Sequence, residues 1–320
     1  MRALICGVTG QDGSYLAKFL LAKGYEVIGT SRDILGSSLG NLDNLGIKKN
    51  VILVSMAIND FRSVFSVIQK YTPDHIYNLA GQTSVGLSFE QPVEAMESIV
   101  QGTLNILEAI RFTGLPIRFY NAGSSECFGD TGSDSADEST PFCPRSPYAV
   151  AKASAHWLVQ NYREAYNLFG CTGILFNHES PLRPKRFVTQ KIVFAAALIA
   201  QTGGGSLELG NIDIHRDWGW APEYVEAMWL MLQQDQAEDF VIATGRSSSL
   251  NYFVERVFIW FGLNWEKHVR FNNALRRPSD ITNSAGNSAR ALSRLGWAAN
   301  YDIDFVINAM CSEAKKSILN

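Results

Sequence analysis

Cysteine is scarce in this chain and badly spaced for a scaffold. The five thiols, Cys6, Cys127, Cys143, Cys171 and Cys311, are odd in number, and no two stand at CxxC spacing. That argues against a disulfide framework and a zinc site, so no metal is expected, and it fits a reducing compartment. Long apolar runs are missing too. The longest, residues 192–200, falls far short of a bilayer's thickness, so no membrane partner is expected. The opening MRALICGVTG runs straight into a glycine loop without the charged leader and cleavage site of a secretory signal. A cytoplasmic protein is the expectation. Neither sign of charge dominates: 28 Lys and Arg face 31 Asp and Glu, a formal net charge of −3. There is accordingly no basic footprint for nucleic acid, whereas a small anionic substrate needs only a local group of Arg and Lys.

What is present is alternation. Residues 4–8, 26–30, 51–56, 75–80 and 117–122 are short apolar or β-branched runs that predict strands. Residues 14–23, 61–71 and 92–113 carry apolar side chains at helical spacing. Repeated βαβ units imply an α/β fold, a Rossmann-type doubly wound parallel sheet whose ligand crevice lies at the strands' carboxyl ends. A long helix over 148–167, a strand over 171–177, helices from 188, over 218–234 and over 250–261, and a strand over 240–244 complete the pattern. Residues 1–178 are read as the cofactor-binding domain, with returns at about 212–246. Residues 179–320 form mainly a smaller, interleaved C-terminal substrate-binding domain.

The run Gly7-Val8-Thr9-Gly10-Gln11-Asp12-Gly13 lies between the first strand and the first helix. A glycine triplet can be a plain tight turn. In strand–turn–helix context it lets a backbone approach a pyrophosphate, with the helix's free N–H groups facing the anion. After the second strand comes Thr30-Ser31-Arg32-Asp33. Arg32 beside a small Ser31 favours the 2′-phosphate of NADP, while Asp33 next to it pulls toward NAD.

Tyr148 and Lys152 form a YxxxK pair, whose i, i+4 spacing puts both on one helix face. A neighbouring ammonium favours the phenolate, and a phenolate can take a hydroxyl proton. Gly123-Ser124-Ser125-Glu126 follows directly on the fifth strand. Ser124 is suited to hydrogen-bond the same substrate oxygen. Glu126 adds a carboxylate that simple dehydrogenation does not need but proton removal beside a ketone does.

The GxxGxxG spacing resembles that of extended short-chain dehydrogenases. Ser124-Ser125-Glu126, the run Phe142 to Lys152, Asn161 to Tyr166, Gly173 to Pro181, Arg216-Asp217-Trp218-Gly219 and Tyr224 to Gln234 resemble the GDP-mannose 4,6-dehydratase family over nearly the whole chain. Ser125 stands where dTDP-glucose dehydratases carry Asp. The resemblance implies a catalytic set of Ser124 (for the family's Thr), Glu126, Tyr148 and Lys152, and an NADP cofactor. It places His178 and Arg183 along that cofactor, with Leu79, Ala80, Gly81, Gln82 and Thr83 lining its phosphate and ribose side. It maps Asn177, Lys191, Arg216 and Arg277 onto the nucleotide diphosphate of a GDP-sugar, a contact for which Arg and Lys are chemically suited. A homodimer or homotetramer is expected. Three departures stand out: Ala57-Ile58 where the family reads adenine with Asp-Leu, Glu94 in place of a cofactor-contacting Tyr, and a shortened segment over 271–283 that keeps Arg277-Pro278. The implied reaction is an internal redox cycle giving a 4-keto-6-deoxy sugar. A nucleotide-sugar epimerase or 4-keto reductase on the same scaffold, and a catalytically idle cofactor-binding protein, are the competing readings.

Overall fold

Seven parallel strands form the central sheet of the computed structural model, which describes residues 1–319. They are β1 (Arg2–Cys6), β2 (Glu26–Ser31), β3 (Val51–Ser55), β4 (His75–Asn78), β5 (Arg118–Ala122), β6 (Gly170–Leu175) and, after three intervening strands, β10 (Phe240–Ile242). Their order is β3-β2-β1-β4-β5-β6-β10, with the direction of winding reversing between β1 and β4. Every neighbouring pair is parallel. All of β4 and β6 is buried, as expected of strands covered on both faces.

The helices Gln11–Ala22 and Ala221–Met231 cover one face through Leu16, Leu20, Tyr224 and Met228. The helices Phe61–Tyr71, Gly102–Thr113 and Pro147–Tyr166 cover the other through Val64, Ile68, Ile106, Ile110 and Val159. A separate core is built from the helices Val188–Thr202, Leu250–Trp260 and Ile303–Leu319, around Ile192, Phe253, Val257, Val306 and Met310. Between the two cores β7 (Asn177–Glu179), β9 (His215–Trp220), β11 (Ser247–Ser249) and β13 (Asn283–Ser284) make a small sheet. β8 (Leu207–Leu209) and β12 (Val269–Phe271) pair separately.

Three sequence expectations need correction. The helix over 218–234 starts later, at Ala221: Trp218, Gly219 and Trp220 are taken by β9, which pairs with β7, and Pro222 in the first turn fixes the helix start. The single helix over 92–113 is three pieces, Pro92–Met96, a π turn Glu97–Gln101 and Gly102–Thr113. The strand over 171–177 ends at Leu175, and Asn177 opens β7.

Candidate functional site

The glycine run wraps the carboxyl end of β1. Gly7 sits at φ +85°, with the Leu79 carbonyl 3.0 Å from where a Cβ would lie. A Cβ on Gly13 would collide with the Gly7 carbonyl and the Val8 backbone. Both positions therefore need glycine, one for its dihedral and one for helix–strand approach. No side chain caps the Gln11–Ala22 helix, and its first residues Gln11, Asp12 and Gly13 line the cleft. That cleft, of about 430 Å³, is lined by Gly7, Thr9, Gly10, Gln11, Asp12, Gly13, Arg32, the whole Leu79–Thr83 run and Arg183. An extended dinucleotide with a central diphosphate fits this donor set, chain conformation and length of wall.

His178 lies beneath the cleft on β7. Its Nε2 is 2.9 Å from Asp12 Oδ2 and its Nδ1 is 2.7 Å from the Phe176 carbonyl. Both ring nitrogens thus face acceptors, and the ring stacks on Tyr224 at 4.5 Å between centroids. Burial opposes a charged imidazole, but the Asp12 carboxylate and its hydrogen bond outweigh it and hold His178 above its ordinary value. Asp12 is in turn held below the usual carboxylate range: burial works against this, and His178 then prevails. Gln11 ties the pair down by donating to Asp12 (3.0 Å) and accepting from Ser180 (2.7 Å). Arg183 approaches Glu179 at 3.2 Å and stacks on Phe187.

Ser146 caps the Pro147–Tyr166 helix, its Oγ accepting from the Ala149 N–H at 3.1 Å, and Pro147 occupies the first turn. This start places Tyr148 one residue in and Lys152 one turn on, both buried. Burial pushes the Tyr148 phenol well above its ordinary value, while a hydrogen bond from Ser124 pulls it back. Burial also lowers Lys152 to about 8. Its Nζ donates to the Ala122 carbonyl at 2.8 Å and lies 5.8 Å from the Tyr148 ring centroid. Ser124, two residues past the end of β5, caps a 3₁₀ turn, Ser125–Phe128, in which the Glu126 N–H donates back to Ser124 Oγ at 3.3 Å. Burial raises the half-buried Glu126 carboxyl, and Arg277 and Arg216 counter part of that rise. Ser124, Tyr148 and Lys152 thus converge, with Glu126 on the side facing the arginines.

Arg216 on β9 is 4% exposed and donates to the Ile281 carbonyl at 2.9 Å. Arg216 and Arg277 reach Asp280 from 3.4 and 3.6 Å. The structure therefore brings Arg216 and Arg277 together around Asp280, opposite Glu126. Lys191 is not part of this group, its ammonium donating to the Glu208 carbonyl at 2.7 Å on β8. Asn177 sits at the start of β7 opposite Trp218.

Sequence reading missed several partners. Asp280 carried no motif. Ser88, whose Oγ accepts from the Tyr148 N–H at 3.2 Å, lies 60 residues away in sequence. Asp217, fully buried, accepts from the Thr244 and Gly245 amides, and burial lifts it to about 6. Its place directly after Arg216 was visible, its task was not. Glu94, noted only as a departure, forms an ion pair with Arg32 at 3.0 Å.

A doubly wound sheet carrying Ser, Tyr and Lys at the end of β5 and the start of the following helix defines an enzyme of the extended short-chain dehydrogenase class. Within it, the chain belongs to the GDP-mannose 4,6-dehydratase family, whose model, described as GDP-mannose 4,6 dehydratase, matches residues 4–310. It is 43% identical to GDP-mannose 4,6 dehydratase 1 of Arabidopsis thaliana over 97% of this chain and 89% of that protein. It is 41% identical to the GDP-mannose 4,6-dehydratase of Vibrio cholerae over 98% of this chain and 92% of that one. The fold is similar to that of dTDP-glucose 4,6-dehydratase from Streptomyces venezuelae, solved with NAD bound: TM-score 0.88 at 22% identity, covering 100% of this chain and 98% of that one.

Proposed function

We propose that this chain is a hydro-lyase that converts GDP-mannose to GDP-4-keto-6-deoxymannose, with NADP as its retained cofactor. Residues 1–178, with the returns at about 212–246, hold the cofactor, and residues 179–320 mainly hold the sugar nucleotide. The observation that carries the reading is Glu126, a carboxylate held beside Ser124 and Tyr148 with its pKa raised by burial. A bound nicotinamide would supply hydride acceptance and return. The chain's own residues do the rest. Ser124 and Tyr148 grip the hydroxyl on carbon 4, and Tyr148 takes its proton, the Lys152 ammonium favouring the phenolate. Glu126 removes the proton on carbon 5 and assists departure of the carbon 6 hydroxyl as water. A raised pKa suits it to both, because a stronger carboxylate base is also a competent acid near neutrality. Arg216 and Arg277 are assigned to the substrate diphosphate. Arg216 is already partly engaged by the Ile281 carbonyl, so it offers its remaining donors from a fixed position. Val150 and Trp157, both exposed and seven residues apart on the Pro147–Tyr166 helix, support assembly with a like chain.

Purified protein incubated with GDP-mannose and no added reductant is expected to yield a product lighter by one water. Stoichiometric consumption of added NADPH would instead establish a reductase.

A further inference from the structure

The outer end of the cleft holds an ion pair for which the proposed chemistry has no use. Arg32 directly follows the second strand, and Glu94 lies in the first turn of the Pro92–Met96 helix. Arg32 Nη2 and Glu94 Oε1 are 3.0 Å apart, the side chains being 71% and 45% exposed. Both line the cleft that contains the glycine run, with Ser31 beside them. Glu94 is fixed at its backbone, because Ser98 Oγ donates to its carbonyl at 2.6 Å. Asp33, the other acid beside Arg32, is spent on its own turn. Its Oδ1 accepts from the Leu35 N–H at 3.0 Å, and it does not line the cleft.

A dinucleotide cleft recognises its adenosine ribose in one of two ways, by a carboxylate accepting from the 2′-hydroxyl or by an arginine meeting a 2′-phosphate. Here both groups are present and bonded to each other. A 2′-phosphate that engages Arg32 must displace the Glu94 carboxylate and then sit within a few ångströms of that negative charge. A bare 2′-hydroxyl has no such conflict and can donate to Glu94. We infer that Glu94 is a specificity-determining residue. It competes with the 2′-phosphate for Arg32, narrows the preference for a phosphorylated over an unphosphorylated dinucleotide, and lets the site accept both. The inference rests on the proposal that this cleft takes a nicotinamide dinucleotide.

The test uses two adenosine fragments, 2′,5′-ADP and ADP, titrated calorimetrically into wild type, Glu94→Gln, Arg32→Ala and the double variant. Exposed ion pairs are worth little, so relief of the competition is expected to tighten 2′,5′-ADP by about two- to ten-fold in Glu94→Gln. ADP should bind that variant equally or more weakly, which also serves as the control for an intact fold. In the Arg32→Ala background the gain should shrink to the part that comes from removing the Glu94 charge beside the phosphate, because no guanidinium is left to release. Unchanged or weaker 2′,5′-ADP binding in Glu94→Gln would overturn the inference, since Glu94 would then merely orient Arg32. Failure of wild type to bind either fragment would overturn the dinucleotide reading, and this one with it.

Discussion

At the scale of single residues, the division of labour proposed for Tyr148 and Glu126 follows from their surroundings. Tyr148 is wrapped by protein and resists ionisation until positive charge is near. Lys152, buried as well, carries that charge only below about pH 8. Glu126 is half-buried, and burial raises its carboxyl while Arg277 and Arg216 counter part of that rise. Replacing Glu126 by Gln keeps its size and hydrogen bonding but removes the base, a loss that typically lowers rate about 10²–10⁴-fold. With GDP-mannose in rapid mixing, Glu126→Gln is expected to show reduced-nicotinamide absorbance while water loss stalls. Tyr148→Phe should show neither. Full dehydration by Glu126→Gln would move the carbon 5 base to another residue. The motif residues were legible because each is local: YxxxK follows from one helix turn, and Ser124 and Glu126 from one strand end. Asp280 and Ser88 were not, because they reach the site through folding contacts that no local spacing records.

Between elements, the Asp12–His178 pair pins the first helix to β7. The helix start at Pro147 was readable from the proline, whereas the Ser146 cap came from the structure. The pin was not foreseen: the resemblance put His178 along the cofactor and gave no pairing with Asp12, which the structure shows at 2.9 Å. Its pH dependence has a definite sign. His178 is raised, so its stabilisation is fully present below the unfolded value near ~6.5 and is lost as pH climbs through the folded value. Asp12 is lowered, so its share is present above ~3.9 and fades as pH falls through its own folded value. The two overlap from about pH 4 to 6.5. His178→Gln, which keeps a donor but no charge, should lower stability by about 1.5–3 kcal/mol near pH 6. The deficit should shrink once wild-type His178 deprotonates. Thermal melts of both proteins from pH 5.5 to 9 check this, and a deficit flat across that range would show that the pair is held without charge. The segments least visible in advance were β8, β9, β11, β12 and β13. They run two to six residues, and their pairing partners lie far along the chain, so neither alternation nor turn signals mark them.

At the scale of the whole molecule, the first six strands of the sheet were legible because each is a short apolar or β-branched run, several of them leading into a helical pattern. The seventh was read correctly as a strand over 240–244 without its neighbour being identified. In the structure it joins β6 after a long excursion of the chain that includes a helix of the second core. That arrangement sets a timetable for synthesis. When β6 has left the ribosome, its outer edge has no partner until Phe240 follows, and at about 5–20 residues per second the wait lasts roughly 3–13 s. Throughout it the sheet exposes a row of unsatisfied amides on a strand buried in the finished protein. The helix Ala221–Met231, which covers Leu175 and Tyr120 on one face, is also late. A chain stopped at residue 239 has its whole glycine loop and the proposed catalytic set yet lacks the strand that closes the edge. Such a product is expected to collect in the insoluble fraction or on chaperones, while the full chain stays in the supernatant, a difference read by fractionating pulse-labelled lysates. The nascent sheet therefore depends on shelter during its own translation, and the rate at which the middle of the message is read becomes a determinant of yield.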